Sequence, residues 1–528
     1  MRTIRRLYQF VVAGAALGML VVGLAQVGSA LIEMLAGREL VVAGQRQALA
    51  VAGSLVAVGL PVWGVHWAWA QRQVQGDIEE ARSILRRLYL YLATGVLAVT
   101  AAVLASALFA GALRVILVER PPADAVELIR TLWWAAITSA FWLYHFRVVG
   151  RDRHVAGESG GSATLRRWYA YGVQFVGLVM LLFGARDLLR AALSNIIGGQ
   201  QLAGGPEPVA GALAQTAVGL AVWLLHVGWT DRASFAPEDR LSQLRAVQGF
   251  LALAIVVSTT LGELGQAIYF LMARSLGVAA PGGVRGDILS EIVKPGSTIV
   301  VFGAAWALLQ RRLTADASAA ESIRQQGVRR LYTYLVAFVS LAILATGMGG
   351  VLWTLSDSLF SALRPASDLS WRDQLSFSIA AIVVGLPMWI VHWRAQPPAS
   401  ERLALSRRLY LFGALLASVL ALLGSGATLV YRVLSLVLAA DQAPALEIGR
   451  ALSTALIAGA VAGYHFRVLR LDQAAARGEA ETAKIAEGPT RQSIEAEIYG
   501  ATPEQITEAL AHLPAEASYT LRPGEGIS

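Results

Sequence analysis

The chain has 528 residues, of which 56% are hydrophobic and only 15% charged. Soluble domains carry roughly a quarter of their residues as charges, so composition excludes an ordinary soluble protein and points to an all-α integral membrane protein. The net charge of +8 is almost entirely arginine, and the absence of cysteine excludes disulfides, thiolate catalysis, cysteine-ligated clusters and covalent haem attachment.

In chain order, Arg5-Arg6-Leu7-Tyr8 opens an apolar run, Phe10 to Ile32. That run is close to the roughly 20 apolar residues that cross a hydrocarbon core of about 30 Å. With Gly28-Ser29-Ala30 it resembles a secretory signal peptide and its cleavage site. The same arginine-headed run recurs internally, however, so it is read as a first membrane helix. A second apolar helix carries Gly59-Leu60-Pro61 and then Trp63, His66 and Trp67 as Trp-x-x-His-Trp. The opening signature returns as Arg86-Arg87-Leu88-Tyr89, and its partner helix ends in Trp142-x-x-His145, within Tyr144-His145-Phe146-Arg147. A third copy runs from Arg166-Arg167-Trp168-Tyr169 to Trp223-x-x-His226, with Arg186 and Asp187 in mid-helix.

The fourth copy is degenerate. Ala246, Val247 and Gln248 follow Arg245, and Phe302 and Ala305 stand in the tryptophan and histidine places. Its first helix carries Glu263, and Lys294-Pro295-Gly296 reads as a turn at an outer helix start. The fifth copy restores the pattern with Arg329-Arg330-Leu331-Tyr332, Gly385-Leu386-Pro387 and Trp389-x-x-His392-Trp393. The sixth has Arg407-Arg408-Leu409-Tyr410 and Tyr464-His465-Phe466-Arg467, with Ala462 in the tryptophan place.

About twelve transmembrane helices in six hairpins follow. Copies one and five match each other, as do two and six, so the larger unit is a four-helix module present three times. The modules are placed at residues 1–155, 156–315 and 316–475, with a polar cytoplasmic tail at 476–528. In the tail Thr502, Pro503 and Gln505 form a helix-start signature, with Ile506, Ala509, Leu510 and Leu513 on one face and Pro514 ending it; a mostly disordered tail is the other expectation. Segments joining successive hairpins, with both flanks through Arg477, hold 27 of the 44 basic residues. Positive charge stays cytoplasmic, which puts both termini in the cytoplasm of a bacterial inner-membrane protein.

The paired signatures resemble those of an uncharacterised bacterial multi-pass membrane family defined only as a domain of unknown function, with an Arg-Arg-Leu-Tyr-headed helix followed by one ending in Trp-x-x-His-Trp or Tyr-His-Phe-Arg. The resemblance covers Arg5 to Arg470, departs at the fourth hairpin, and implies the repeated hairpin fold but no activity.

Candidate functional residues are few. His66, His145, His226, His392 and His465 each sit near the cytoplasmic end of a second helix. They are read either as haem b or quinone contacts, or as structural partners of Tyr8, Tyr89, Tyr169, Tyr332 and Tyr410. The fourth copy loses its tyrosine and its histidine together, which favours a structural clasp. Charges inside spans default to function, which makes Glu263, with Arg186 and Asp187, the transport candidates. Glu33, Arg114 and Asp357 lie 25 residues beyond their tyrosines, about 37 Å along a helix, and belong to the outer interface. Pro61 and Pro387 are expected to kink their helices. Gly14…Gly18 and Gly459…Gly463 have small-xxx-small spacing, a pattern too common among 51 glycines to specify packing. No catalytic constellation, phosphate loop or metal-ligand set is present. The expected partners are the lipid bilayer and a protein engaged through the tail, with no nucleic acid and no cofactor. A scaffold or accessory subunit is the first functional reading, followed by a secondary transporter and then a redox subunit.

Overall fold

A backbone surrounded by hydrocarbon must satisfy its own polar groups, and long apolar segments do so as helices. The computed structural model describes residues 2–37, 43–118, 123–198, 206–230, 239, 241–283, 288–319, 321–360, 370–402, 404–438, 445–487, 498 and 500–513, and no strand occurs among them. Twelve long helices follow one another in pairs, and the first five pairs pack as hairpins. They are α1 (Arg2–Leu35), α2 (Ala43–Gly76), α3 (Ile84–Val118), α4 (Ala123–Ala156), α5 (Gly160–Gly198), α6 (Pro206–Thr230), α7 (Gln243–Ser275), α8 (Ile288–Ala319), α9 (Ile323–Phe360), α10 (Ser370–His392), α11 (Leu405–Val437) and α12 (Ala445–Glu487).

Eleven of these are long and apolar enough to cross a membrane, against the twelve expected; α4 falls short. Asp124, Glu127 and Arg130 charge its start, Arg147, Arg151, Asp152 and Arg153 charge its end, and Trp, Thr, Ser and Tyr dilute the stretch between. It packs against α1 and α3 all the same. A second correction concerns Lys294-Pro295-Gly296. These residues are no turn but lie inside α8, which begins at Ile288; Pro295 is past the first turn, so its missing N–H leaves the Glu291 carbonyl without its usual helical donor. Pro61 and Pro387 likewise sit within continuous α2 and α10.

In hairpins one, three and five the two helices approach closely at glycines on both of them, Gly23 and Gly59 in the first, Gly177, Gly184 and Gly219 in the third, Gly347 and Gly385 in the fifth. A Cβ on Gly59 would stand 2.9 Å from Leu20 N, and one on Gly385 would stand 2.8 Å from Leu344 N. Gly219 meets Leu181 N in the same way. These are the glycines of Gly-Leu-Pro and its Gly-Leu-Ala variant. A missing side chain lets two backbones touch, which is how helices associate where lipid supplies no hydrophobic drive. Gly18, Gly459 and Gly463 have open space around them.

Successive hairpins join by one rule. The first helix of each packs against the second helix of the next, as α1 on α4, α3 on α6, α5 on α8 and α7 on α10. The rule lapses at α9 and α12. Arg470–Ser528 form a separate unit. It contains α13 (Pro503–Leu510), which opens with a capping box in which Thr502 and Gln505 satisfy each other's backbone donors. Pro514 lies outside the described residues.

Candidate functional site

The five histidines share one local geometry. Each lies on a second helix, and its Nδ1 is 2.8 to 3.0 Å from the carbonyl four residues earlier: Val62, Phe141, Val222, Met388 and Val461. A carbonyl only accepts, so Nδ1 donates, and the tautomer protonated there presents Nε2 as an acceptor.

The tyrosines of the first helices face those acceptors. Tyr89 Oη lies 3.1 Å from His145 Nε2, and Tyr410 Oη lies 2.9 Å from His465 Nε2. Both pairs are buried. Tyr8 Oη is 3.4 Å from His66 Nε2 at an exposed position. The rings of Tyr169 and His226 are 6.0 Å apart, and those of Tyr332 and His392 are 6.1 Å apart, both edge to face. In the fourth copy Phe302 and Ala305 fill the space, packed on Leu182, Ala252 and Val256.

In the first and third modules the clasp extends across hairpins. Trp63 Nε1 donates to Tyr89 Oη at 3.2 Å, and Trp389 Nε1 donates to Tyr410 Oη at 2.9 Å. Tryptophan only donates and a phenol does both, so polarity runs from indole to phenol to imidazole to helix carbonyl with every atom satisfied. A second rung uses the other tryptophan of Trp-x-x-His-Trp. Trp67 Nε1 reaches Tyr144 Oη at 2.6 Å and Trp393 Nε1 reaches Tyr464 Oη at 2.7 Å. The two tryptophans are four residues apart and share a helix face, which brings both indoles onto the next hairpin. Arginine closes the stack, Arg86 lying 5.2 Å over the Trp67 ring and Arg407 4.8 Å over Trp393.

The arginine pairs also find acids in the segments between hairpins. Arg5 and Arg6 share Glu80 at 2.8 and 2.9 Å. Arg86 pairs with Asp152 at 2.7 Å, both fully enclosed, while Arg166 and Arg167 converge on Asp239 at 2.9 and 2.5 Å. Arg166 also meets Glu158 at 2.8 Å, which accepts from Tyr91 as well. Arg407 instead donates to the carbonyls of Arg394 and Ala395. The acids escaped the sequence reading. Their only signal is that acidic residues recur in the connectors, a pattern any solvated loop shares.

The transport candidates do not converge. Arg186 and Asp187 pair with each other at 2.8 Å. Glu263 is half-buried, and its Oε2 is enclosed without a hydrogen-bond partner among the described residues. At the outer ends, Glu33 pairs with Arg130 at 2.8 Å and Asp357 with Arg450 at 2.5 Å, while Arg114 is exposed. No cluster of three potential metal ligands occurs among the described residues.

A family model described as Domain of unknown function (DUF5671) matches the chain three times, over residues 6–143, 167–304 and 330–463. Each match begins on the second arginine of an Arg-Arg signature, and together they cover most of the chain. No curated protein and no solved structure matches it.

Proposed function

This chain belongs to the DUF5671 family, a domain of unknown function, and from that premise we propose that it is a polytopic membrane protein serving as a non-enzymatic scaffold or accessory subunit. Its helix faces would bind lipids or partner proteins. The observation that carries this reading is the mutual saturation of the tryptophan–tyrosine–histidine clasps. Trp63, Tyr89, His145, Arg86 and Asp152 spend their hydrogen-bonding capacity on one another or on helix carbonyls, as do Trp389, Tyr410 and His465. A catalytic or conducting group needs a valence left for its substrate; a structural one does not. Outward, the helices present long rows of exposed Leu, Val, Ile and Phe, the surface that hydrocarbon or an apolar partner covers. Its proposed place is a bacterial inner membrane with both termini cytoplasmic, divided into modules at 1–155, 156–315 and 316–475, and α13 is the natural docking element for a soluble partner.

Native mass spectrometry of the chain, extracted gently from its own membrane, tests this. A co-purifying polypeptide or retained lipid supports it, and a bare 56.1 kDa chain that transports a solute when reconstituted overturns it.

A secondary transporter is the second reading, favoured by the enclosed, unpartnered Oε2 of Glu263. There, Glu263→Gln abolishes transport while leaving thermal stability unchanged. Haem ligation fits poorly at His145 and His465, because both ring nitrogens are already engaged.

A further inference from the structure

The third module contains a half-open cavity of about 620 Å³ lined by α9, α10, α11 and α12. Packed interiors tolerate few voids larger than a water molecule, so this volume needs a physical account. It lies where the packing rule between hairpins lapses. In the first module α4 packs directly on α1 and α3, whereas α12 makes no comparable approach to α9 or α11. It meets them through isolated side-chain links, such as Tyr410 to His465 and Asp357 to Arg450.

The sequence shows how the space opened. Counting from the shared tyrosine and histidine, Ala417, Ser418, Ala421, Thr454, Ala458 and Val461 stand where the first module has Val96, Leu97, Thr100, Trp134, Thr138 and Phe141. Every replacement is smaller. In the first module Trp133 fills the interface against Gly28 and donates to the Leu24 carbonyl at 3.1 Å, while Trp134 donates to Ser29 at 2.8 Å. The third module has Ser453 and Thr454 there, and returns only part of the volume through Phe338 and Trp353, whose indole donates to Thr454 at 3.2 Å.

The lining is apolar with a few hydroxyls, and the volume falls within the roughly 300–1,000 Å³ of small-ligand sites, which helix bundles form between their helices. It is also elongated: Phe338 and Trp353, at its two ends, are separated by about 22 Å of helix at 1.5 Å per residue. The Trp389–Tyr410–His465 layer bounds one end, and the Trp353–Thr454 and Asp357–Arg450 pairs bound the other. We propose that this cavity holds one acyl chain of a membrane lipid, entering between α11 and α12. A lining this predominantly apolar favours an apolar occupant, and in the membrane reading a lipid chain is the apolar solute surrounding it. The inference rests on the membrane-embedded reading above.

The test uses the full chain in phospholipid nanodiscs containing a phospholipid with a diazirine near the end of one acyl chain, with adducts mapped after illumination. Val419 and Leu420, on the exposed face of α11, report ordinary lipid contact. The expected result is adducts at Ala421 and Ala458, which line the cavity off the exposed face, beside those reference adducts. In Ser418→Leu, which restores the first-module residue, the cavity adducts fall about tenfold with the reference unchanged. Ala458→Leu, filling the same space from α12, gives the same loss if Ser418→Leu fails to fold. Reference adducts without cavity adducts, or cavity adducts indifferent to both variants, overturn the acyl-chain site while leaving membrane insertion standing. Absence of adducts at Val419 and Leu420 as well overturns the membrane reading and the site together.

Discussion

Tyr89 and Tyr410 each tie three helices through a single oxygen. Each accepts from an indole on the preceding hairpin and faces an imidazole on its own. Removing that oxygen leaves a buried Nε2 without a donor and an indole N–H without an acceptor, a loss larger than that of one exposed bond. Tyr89→Phe is therefore expected to lower unfolding stability in detergent by about 1–2 kcal/mol, near the upper end of side-chain hydrogen bonds measured in membranes. Tyr8→Phe, at an exposed site with a 3.4 Å contact, is expected to cost under about 0.5 kcal/mol. A Tyr89→Phe, His145→Ala double-mutant cycle should be non-additive, and strict additivity would count against a direct bond. Among the candidate residues, the recurrence of tyrosine and histidine was legible in the sequence. The indole donors were visible as motif letters but their acceptors were not, because they sit on a different hairpin.

At the scale of the element, helices meet through glycines and buried ion pairs. Gly385→Val places carbon against the backbone of α9, which has no flexible end to move aside, and should destabilise by about 1–3 kcal/mol or more. Gly459→Val, with open space around it, should be close to neutral, and thermal unfolding of the two variants side by side checks both. Arg86 and Asp152 are fully enclosed, so Asp152→Ala leaves a buried guanidinium without its counter-charge and should cost about 3–5 kcal/mol. Glu79→Ala, which breaks the exposed pair with Arg82, should change stability by less than about 0.5 kcal/mol. The Gly-x-x-x-Gly spacing could not single out the contact glycines, because periodicity places a residue on a face without saying which face a neighbour covers.

For the whole molecule, the arginine bias predicts that both ends lie on one side of the membrane. The chain has no cysteine, so single-cysteine variants report position without background. A cysteine at Ser528 and one at Met1+1, Arg2, should react with a membrane-impermeant maleimide only after the bilayer is permeabilised from the outside. Reaction in intact cells at either end would reverse the orientation. Such mapping, extended to either side of each long helix, also tests whether the eleven that are long and apolar enough do cross, and whether α4, too polar by composition, crosses as well.

The sequence by itself determined the helical class, the succession of paired helices, and the recurrence of tyrosine and histidine on them, because each is a local repeat written in apolar runs of helix-spanning length. Tertiary structure alone decided how the hairpins join, which glycines they cross at, and which acids neutralise the arginines. It also decided that the same module closes around Trp133 and Trp134 in its first copy and stands open in its third. Those outcomes depend on volumes meeting across helices far apart in the chain, and a residue's size carries no sign of what will face it.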